Sequence, residues 1–256
     1  MARSAPSGAY LWVKAGCLQL QSEMDIRPMK LSPHHAEQEQ RTFVPLIVGI
    51  GGTARAGSTT EMALRFALDA AQRAGAQTAI VAGPLLEFPM YSQDRTERAS
   101  SASEMISLLR RCHGVIVASP GYHGSVSGLI KNALDYVEDM REDEAAYFDG
   151  RAVGCVACAF GWQATGSTLA ALRSIVHALR GWPTPVGVAV NSSSKIFDTE
   201  GNCLDSAISK QLQLMARQVV DFARMRAGAS GGTRPRDLSI QRQTSELQHG
   251  ASSTVA

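Results

Sequence analysis

From position 44 to 227 the chain alternates between two kinds of pattern. Short runs are apolar almost throughout and rich in β-branched residues, while longer stretches carry apolar residues every three or four positions. The first kind reads as strands buried on both faces, the second as helices with one buried stripe. Leu46–Ile50, Thr78–Ala82, Val115–Ala118, Val153–Ala159 and Val186–Val190 are the predicted strands. The first predicted helix is Ser58–Ala74, with Met62, Ala63, Phe66, Ala67 and Ala70 on its stripe. Ser103–Arg111, Ser127 or Gly128 to Met140, Ser167–Leu179 and Asp205–Arg226 follow. Gly75, Gly83-Pro84 and Pro120-Gly121 punctuate the ends of the first helix, second strand and third strand.

Alternating strands and helices predict an α/β domain: a doubly wound, five-stranded parallel sheet with helices on both faces, spanning 44–227. Ligands of such sheets bind beyond the carboxyl ends of the strands, where strand order reverses. The loops after the first, third and fourth strands are therefore the places to look for chemistry. Residues 1–43 lack this periodicity and carry His34-His35 and the polar run Glu37–Arg41; they read as a disordered N-terminal extension. Because the fold pattern starts only at Val44, Met24 or Met29 is expected as an alternative start of translation. Residues 228–256, rich in Gly, Ser, Thr and Gln, read as a disordered tail.

Composition narrows the function. Hydrophobic residues make up 45% of the chain and charged ones 19%, enough apolar material for a buried core. A net charge of +2, with no Lys/Arg run, argues against nucleic acid as a partner. No apolar stretch is long enough to predict a membrane span. Leu11, Trp12 and Val13 follow Arg3 in the manner of a leader, but Lys14 interrupts the apolar run, and the expected location is the cytoplasm. The five cysteines are scattered and odd in number, unlike a disulfide framework. Cys155 and Cys158 have redox or zinc spacing, yet both fall in a predicted strand, where residues three apart point to opposite faces. They are expected to be buried and structural, and no metal site is expected.

The loop Gly51-Gly-Thr-Ala-Arg-Ala-Gly-Ser-Thr-Thr60 joins the first strand to the first helix. A helix start offers free N–H groups and a partial positive charge, a ready anion site. Thr53, Ser58, Thr59 and Thr60 add hydroxyls and Arg55 a charge, a set suited to one phosphate dianion. Two other readings stand beside this one. Gly49 to Ala54 formally matches GxGxxG/A, a dinucleotide fingerprint that also calls for an acidic residue about 20 positions on, at the end of the second strand. That strand ends Ile80-Val-Ala-Gly83, with Glu87 beyond a proline. Ser58 is also explained as a plain N-cap, which leaves Thr53, Arg55, Thr59 and Thr60 unaccounted for.

After the third strand comes Pro120-Gly-Tyr-His-Gly-Ser-Val-Ser-Gly128, then Leu-Ile-Lys-Asn-Ala-Leu-Asp135. Glycines let this backbone approach a planar ring, and Tyr122 can pack against one. Together with Gly51-Gly-Thr-Ala-Arg55 and Ser58, this stretch resembles the NAD(P)H-dependent FMN reductases of the flavodoxin-like superfamily, over about residues 44–192. The resemblance implies a flavodoxin-like sheet of order 2-1-3-4-5, and FMN with NADPH or NADH as cofactors. It implies a phosphate loop at Thr53, Arg55, Ser58, Thr59 and Thr60, and a ring loop at Pro120, Gly121, Tyr122, His123, Gly124 and Ser125. It also implies a homodimer or homotetramer. His123 falls at a variable position, so a surface role stands beside a catalytic one. Asn132 and Asp135 are expected to brace loops or interfaces, with Lys131 and Asp135 an i,i+4 pair.

The loop Phe160-Gly-Trp-Gln-Ala-Thr-Gly-Ser-Thr168 puts Gly161 and Trp162 at the third expected rim position, either in the flavin pocket or as a capped helix entry with Ser167 as N-cap. No Ser-His-Asp, paired-carboxylate or HExxH constellation appears, and a flavin reductase needs none, because cofactor and flavin carry the electrons. The expected activity is hydride transfer from NAD(P)H to FMN, with reduced flavin passing to an oxygenase or to a bound acceptor. Alternatives are a quinone, azo or metal-ion reductase with bound FMN, and a flavodoxin-type electron carrier. A pI near 8.3 argues against the carrier, which resembles strongly acidic proteins.

Overall fold

A computed structural model describes residues 43–229. Residues 1–42 of the expected N-terminal extension, with Cys17, the His34-His35 pair and the alternative starts, and residues 230–256 of the expected tail lie outside the described residues, while Gly228 and Ala229 complete the last helix.

The strands are β1 (Leu46–Gly51), β2 (Gln77–Ala82), β3 (Gly114–Tyr122), β4 (Ser125–Val126), β5 (Ala152–Ala159), β6 (Trp182–Pro183) and β7 (Val188–Asn191). The helices are α1 (Thr59–Arg73), α2 (Ser100–Arg111), α3 (Gly128–Asp135), α4 (Trp162–Ala178) and α5 (Ser206–Ala229). A short 3₁₀ turn, Tyr136–Met140, continues α3. The main sheet runs β2-β1-β3-β5-β6, all parallel, with β7 also on β5. This is the flavodoxin-like order expected. The fifth strand differs from expectation in being split: β6 pairs with Ala152 and Val153, and β7 with Val156 to Ala159. Trp182 and Thr184 donate to the Arg151 and Val153 carbonyls of β5, so Pro183 and Pro185 face the free edge and cost no ladder bond. The pairing lapses at Val186, whose N–H goes to Gln218 Oε1 and whose carbonyl takes the Thr184 hydroxyl.

Each sheet face has its own core. Ile47, Ile116, Val156 and Val188 pack with Leu64 and Leu68 of α1 and with Leu212, Met215 and Val219 of α5. Val48, Ile50, Val115, Val117 and Val153 pack with Met105 and Leu109 of α2, Ile130 and Leu134 of α3, and Leu172 and Val176 of α4. Cys158 belongs to the first core and Cys155 to the second, so the CxxC pair straddles the sheet as its spacing predicts. Burial pushes both thiols up to about 12. Among the described residues, no helix is long and apolar enough to cross a membrane.

Two boundaries correct the expected ones. Strand β3 does not stop at Pro120 but runs through Tyr122. The carbonyl of Ala118 faces β1 and accepts the Gly52 N–H, so by alternation Pro120 also faces that side, where β1 has already ended. No ladder bond is lost by its missing N–H. Helix α4 begins at Trp162, one and a half turns before Ser167. Ser167 is not the cap: its hydroxyl donates to Ala164 O within the helix. The capping position is Gly161, at φ 111°, whose N–H is held by Asn191 Oδ1 at 3.0 Å.

Candidate functional site

Strands β1 and β3 are neighbours, with Gly51 opposite Ala118, so the bends that follow them leave the sheet side by side at its carboxyl end. The contact is close: a Cβ on Gly51 would lie 2.5 Å from the Ala118 carbonyl oxygen. Between the bends is a cleft of about 440 Å³, within the size range of small-molecule sites. One wall is Thr53, Ala54 and Arg55; the other is Pro120, Tyr122, Ser127, Gly128 and Leu129. Arg55 is the one charged side chain on these walls, which gives the cleft a cationic end.

The first bend is ordered from its own helix. The Ser58 hydroxyl caps α1 by accepting the Glu61 N–H at 3.3 Å. Glu61, only 6% exposed, sends Oε2 back to accept the Gly57 N–H at 3.0 Å, while Oε1 pairs with Arg65 at 2.7 Å. Gly57 sits at φ 69°, a conformation that glycine adopts without strain. The Thr53 hydroxyl donates to the Arg55 carbonyl, which tightens the turn. The N–H groups of Ser58, Thr59 and Thr60 open the helix without carbonyl partners, as geometry dictates for a first turn. Thr59 is half-buried at that opening. The Thr60 side chain departs from expectation: it is buried, and its hydroxyl bonds the Cys158 thiol behind the loop. Of the first bend, Thr53, Ala54 and Arg55 line the cleft; Ser58, Thr59 and Thr60 lie behind them, outside its lining.

The second bend is a β-hairpin. Gly121 pairs with Val126 and Tyr122 with Ser125, across a turn made by His123 (φ 51°) and Gly124 (φ 84°). Two positive φ angles in a two-residue loop match the twist of antiparallel strands. His123, Gly124 and Ser125 are exposed and do not line the cleft. Two anchors hold the hairpin: Ser119 Oγ accepts the Ser127 N–H, and Thr168 of α4 donates to the Ser125 carbonyl. Gly121 lies under α4 so closely that a Cβ there would collide with Thr168 Oγ1. Ser127 then caps α3 through the Ile130 N–H.

Gly161 and Trp162 lie on the same rim but outside the cleft, and Trp162 is exposed along with Phe160 and Tyr122. Asn132 braces a loop as expected, binding the Tyr91 N–H and the Phe88 and Pro89 carbonyls. Lys131 and Asp135 form the expected i,i+4 pair at 2.6 Å. Sequence reasoning missed Glu61, although Ser58-Thr-Thr-Glu61 is a capping-box spacing. It also missed Ser127, Gly128 and Leu129 as cleft lining, which the start of a second helix beside the ring loop could have flagged.

The order of the strands, the face-by-face cores and a cleft at the reversal point define a flavodoxin-like protein. Residues 45–195 match the family described as NADPH-dependent FMN reductase, and the chain belongs to that family. An FMN-dependent NADPH-azoreductase of Staphylococcus aureus (strain USA300) is 32% identical over 110 residues, covering 42% of this chain and 55% of that protein. The chain thus spans about half the length of such relatives. FerB, a flavoenzyme NAD(P)H:(acceptor) oxidoreductase from Paracoccus denitrificans, superposes with a TM-score of 0.56 at 18% identity, over 72% of this chain and 99% of that one. RosB, solved with the bound intermediate 8-demethyl-8-formylriboflavin-5′-phosphate, superposes with a TM-score of 0.60 at 13% identity, over 83% of this chain and 91% of that one. At these identities the two structures speak for the fold.

Proposed function

We propose that this chain is an NAD(P)H:flavin oxidoreductase that binds FMN in the cleft between the bends after β1 and β3. The observation that carries the reading is the pairing of the two walls: Thr53, Ala54 and Arg55, in the bend that leads into the start of α1, face a wall of Pro120, Tyr122 and Leu129 across about 440 Å³. The donor set suits a phosphate and the opposite wall suits a flat ring, so the residues present fit FMN. Arg55, the Ser58 hydroxyl and the N–H groups of Thr59 and Thr60 would hold the phosphate, with Thr53 keeping the turn in shape through its bond to the Arg55 carbonyl. Pro120, Gly121 and Tyr122 would bear on the ring, with His123, Gly124 and Ser125 forming the hairpin tip behind it. Gly161 and Trp162 border the open side, where a nicotinamide can enter. When bound, FMN accepts the hydride of NADPH or NADH; the protein aligns the rings and excludes competing reactions.

The family match supports this reading. Mixing protein, FMN and NADPH without oxygen should bleach the oxidised flavin spectrum, and repeating with NADH ranks the two donors. Failure of both to bleach it would favour an electron carrier instead. The azoreductase likeness favours a second reading in which FMN stays bound and a quinone or azo compound is reduced. Ping-pong kinetics with retained flavin would mark that case; sequential kinetics with free FMN marks release to an oxygenase. The exposed aromatic rim of Tyr122, Phe160 and Trp162 suits burial against a second copy, as a homodimer or homotetramer. Light scattering tests that assembly. Three buried free thiols, Cys112, Cys155 and Cys158, suit a reducing compartment such as the cytoplasm.

A further inference from the structure

We infer that Glu61 is a positioning residue for the phosphate of the bound mononucleotide, acting through the Gly57 amide. The inference rests on the FMN reading above and assigns a role to a group outside the expected phosphate loop. A carboxylate 6% exposed beside an anion site is costly unless it is compensated and has its own partners. Glu61 has both. Arg65 neutralises it from one turn on, through Nη2 at 2.7 Å and Nε at 2.9 Å. The other oxygen takes the Gly57 N–H at 3.0 Å and pins the left-handed residue on which the bend turns. The loop is wrapped around this side chain, since a Cβ on Gly52 would touch the Glu61 Cβ at 3.4 Å and one on Gly83 would approach Oε2 at 3.9 Å. Ser58 closes the circuit by accepting the Glu61 N–H. The internal anion and the cap thus consume the amides of Gly57 and Glu61 and leave those of Ser58, Thr59 and Thr60 in a fixed arrangement without partners in the loop. A phosphate then meets donors already placed, and the ordering cost of binding falls.

The test compares FMN with riboflavin, which lacks the phosphate, by calorimetry on the full chain, with amide exchange at Gly57 as a ligand-free readout. Glu61→Ala should weaken FMN about tenfold, the scale of one charge-assisted hydrogen bond, and leave riboflavin within about twofold. It should also speed Gly57 exchange. Glu61→Gln keeps an acceptor for Gly57 and should restore FMN affinity to within about threefold and exchange to the wild-type rate. Equal weakening of both flavins by Glu61→Ala, or a Gln variant as poor as Ala, overturns the role. So does a Gly57 amide that exchanges as fast in the wild type as in Glu61→Ala, even if FMN binds. Wild-type protein that binds FMN no better than riboflavin, with Gly57 still protected, sinks the FMN reading and leaves the brace without a phosphate to serve. If Glu61→Ala fails to fold, Arg65→Met carries the test: an uncompensated carboxylate should weaken FMN and spare riboflavin, and an unchanged preference for FMN overturns the inference.

Discussion

The bends after β1 and β3 leave neighbouring strands at the same end of the sheet, yet only the second is itself part of the sheet. Residues 53–58 make no strand pairing; they are held by one helix turn, through Ser58 and Glu61. Residues 120–126 continue β3, fold back as β4 and are clamped by Ser119 and Thr168. The first bend offers amides and a cation, and the second a stiff apolar wall. A site for a molecule with a charged end and a flat end needs both, and the two kinds of support allow each to be altered alone.

The largest effect is expected at the first bend. Arg55→Ala combined with Ser58→Ala should weaken FMN about a hundredfold, the scale of two charge-assisted hydrogen bonds, with riboflavin changed little. Equal losses for both flavins in a fluorescence titration would break the proposed division of labour. At the second bend, Gly121→Ala places a Cβ 3.0 Å from the Ala159 Cβ and against Thr168 Oγ1. Overpacking of this kind costs about 1–3 kcal/mol, so urea unfolding should shift, and FMN and riboflavin should weaken together as the wall moves. Ser119→Ala removes the acceptor of the Ser127 N–H and should cost about 1 kcal/mol, with the same parallel loss of both flavins.

The smallest effect lies at the opposite end of the sheet. His113 Nδ1 accepts the Leu46 N–H, and burial, aided by the charge of Arg151, lowers its pKa from the ordinary value. A base with a depressed native pKa stabilises the fold fully above its unfolded value near 6.5, and loses that contribution as pH falls through the native value. His113→Gln, which keeps an acceptor but cannot titrate there, should flatten stability against pH below about 6.5. An unchanged acid limb would remove His113 from the account, and flavin affinity should be untouched in either case.

The reach of sequence reading follows the same division. Central strands such as Val115–Ala118 and Val153–Ala159 are covered on both faces, so apolar runs reveal them directly. The polar bend before Ser58 was legible because a helix start carries its own chemistry. What escaped depends on partners distant in sequence. Pro120 looks like a strand end until β1 is seen to stop beside it. Gly161 offers no side-chain acceptor, so the start of α4 is visible only through Asn191, thirty residues on. Thr60 and its neighbours look alike as hydroxyls, and only the position of Cys158 separates the one that turns inward. Glu61 is the exception: its capping-box spacing from Ser58 is local, and the hydroxyls around it are the more conspicuous signal.

The central claim is that one cleft holds a mononucleotide by its phosphate and its ring together. Titration of FMN and of riboflavin into the purified chain, followed by quenching of flavin fluorescence, tests it most directly. The account predicts saturable binding of both, with FMN tighter by at least about tenfold, a preference that shrinks as inorganic phosphate is added. Equal affinities, or no quenching by either flavin, would contradict it.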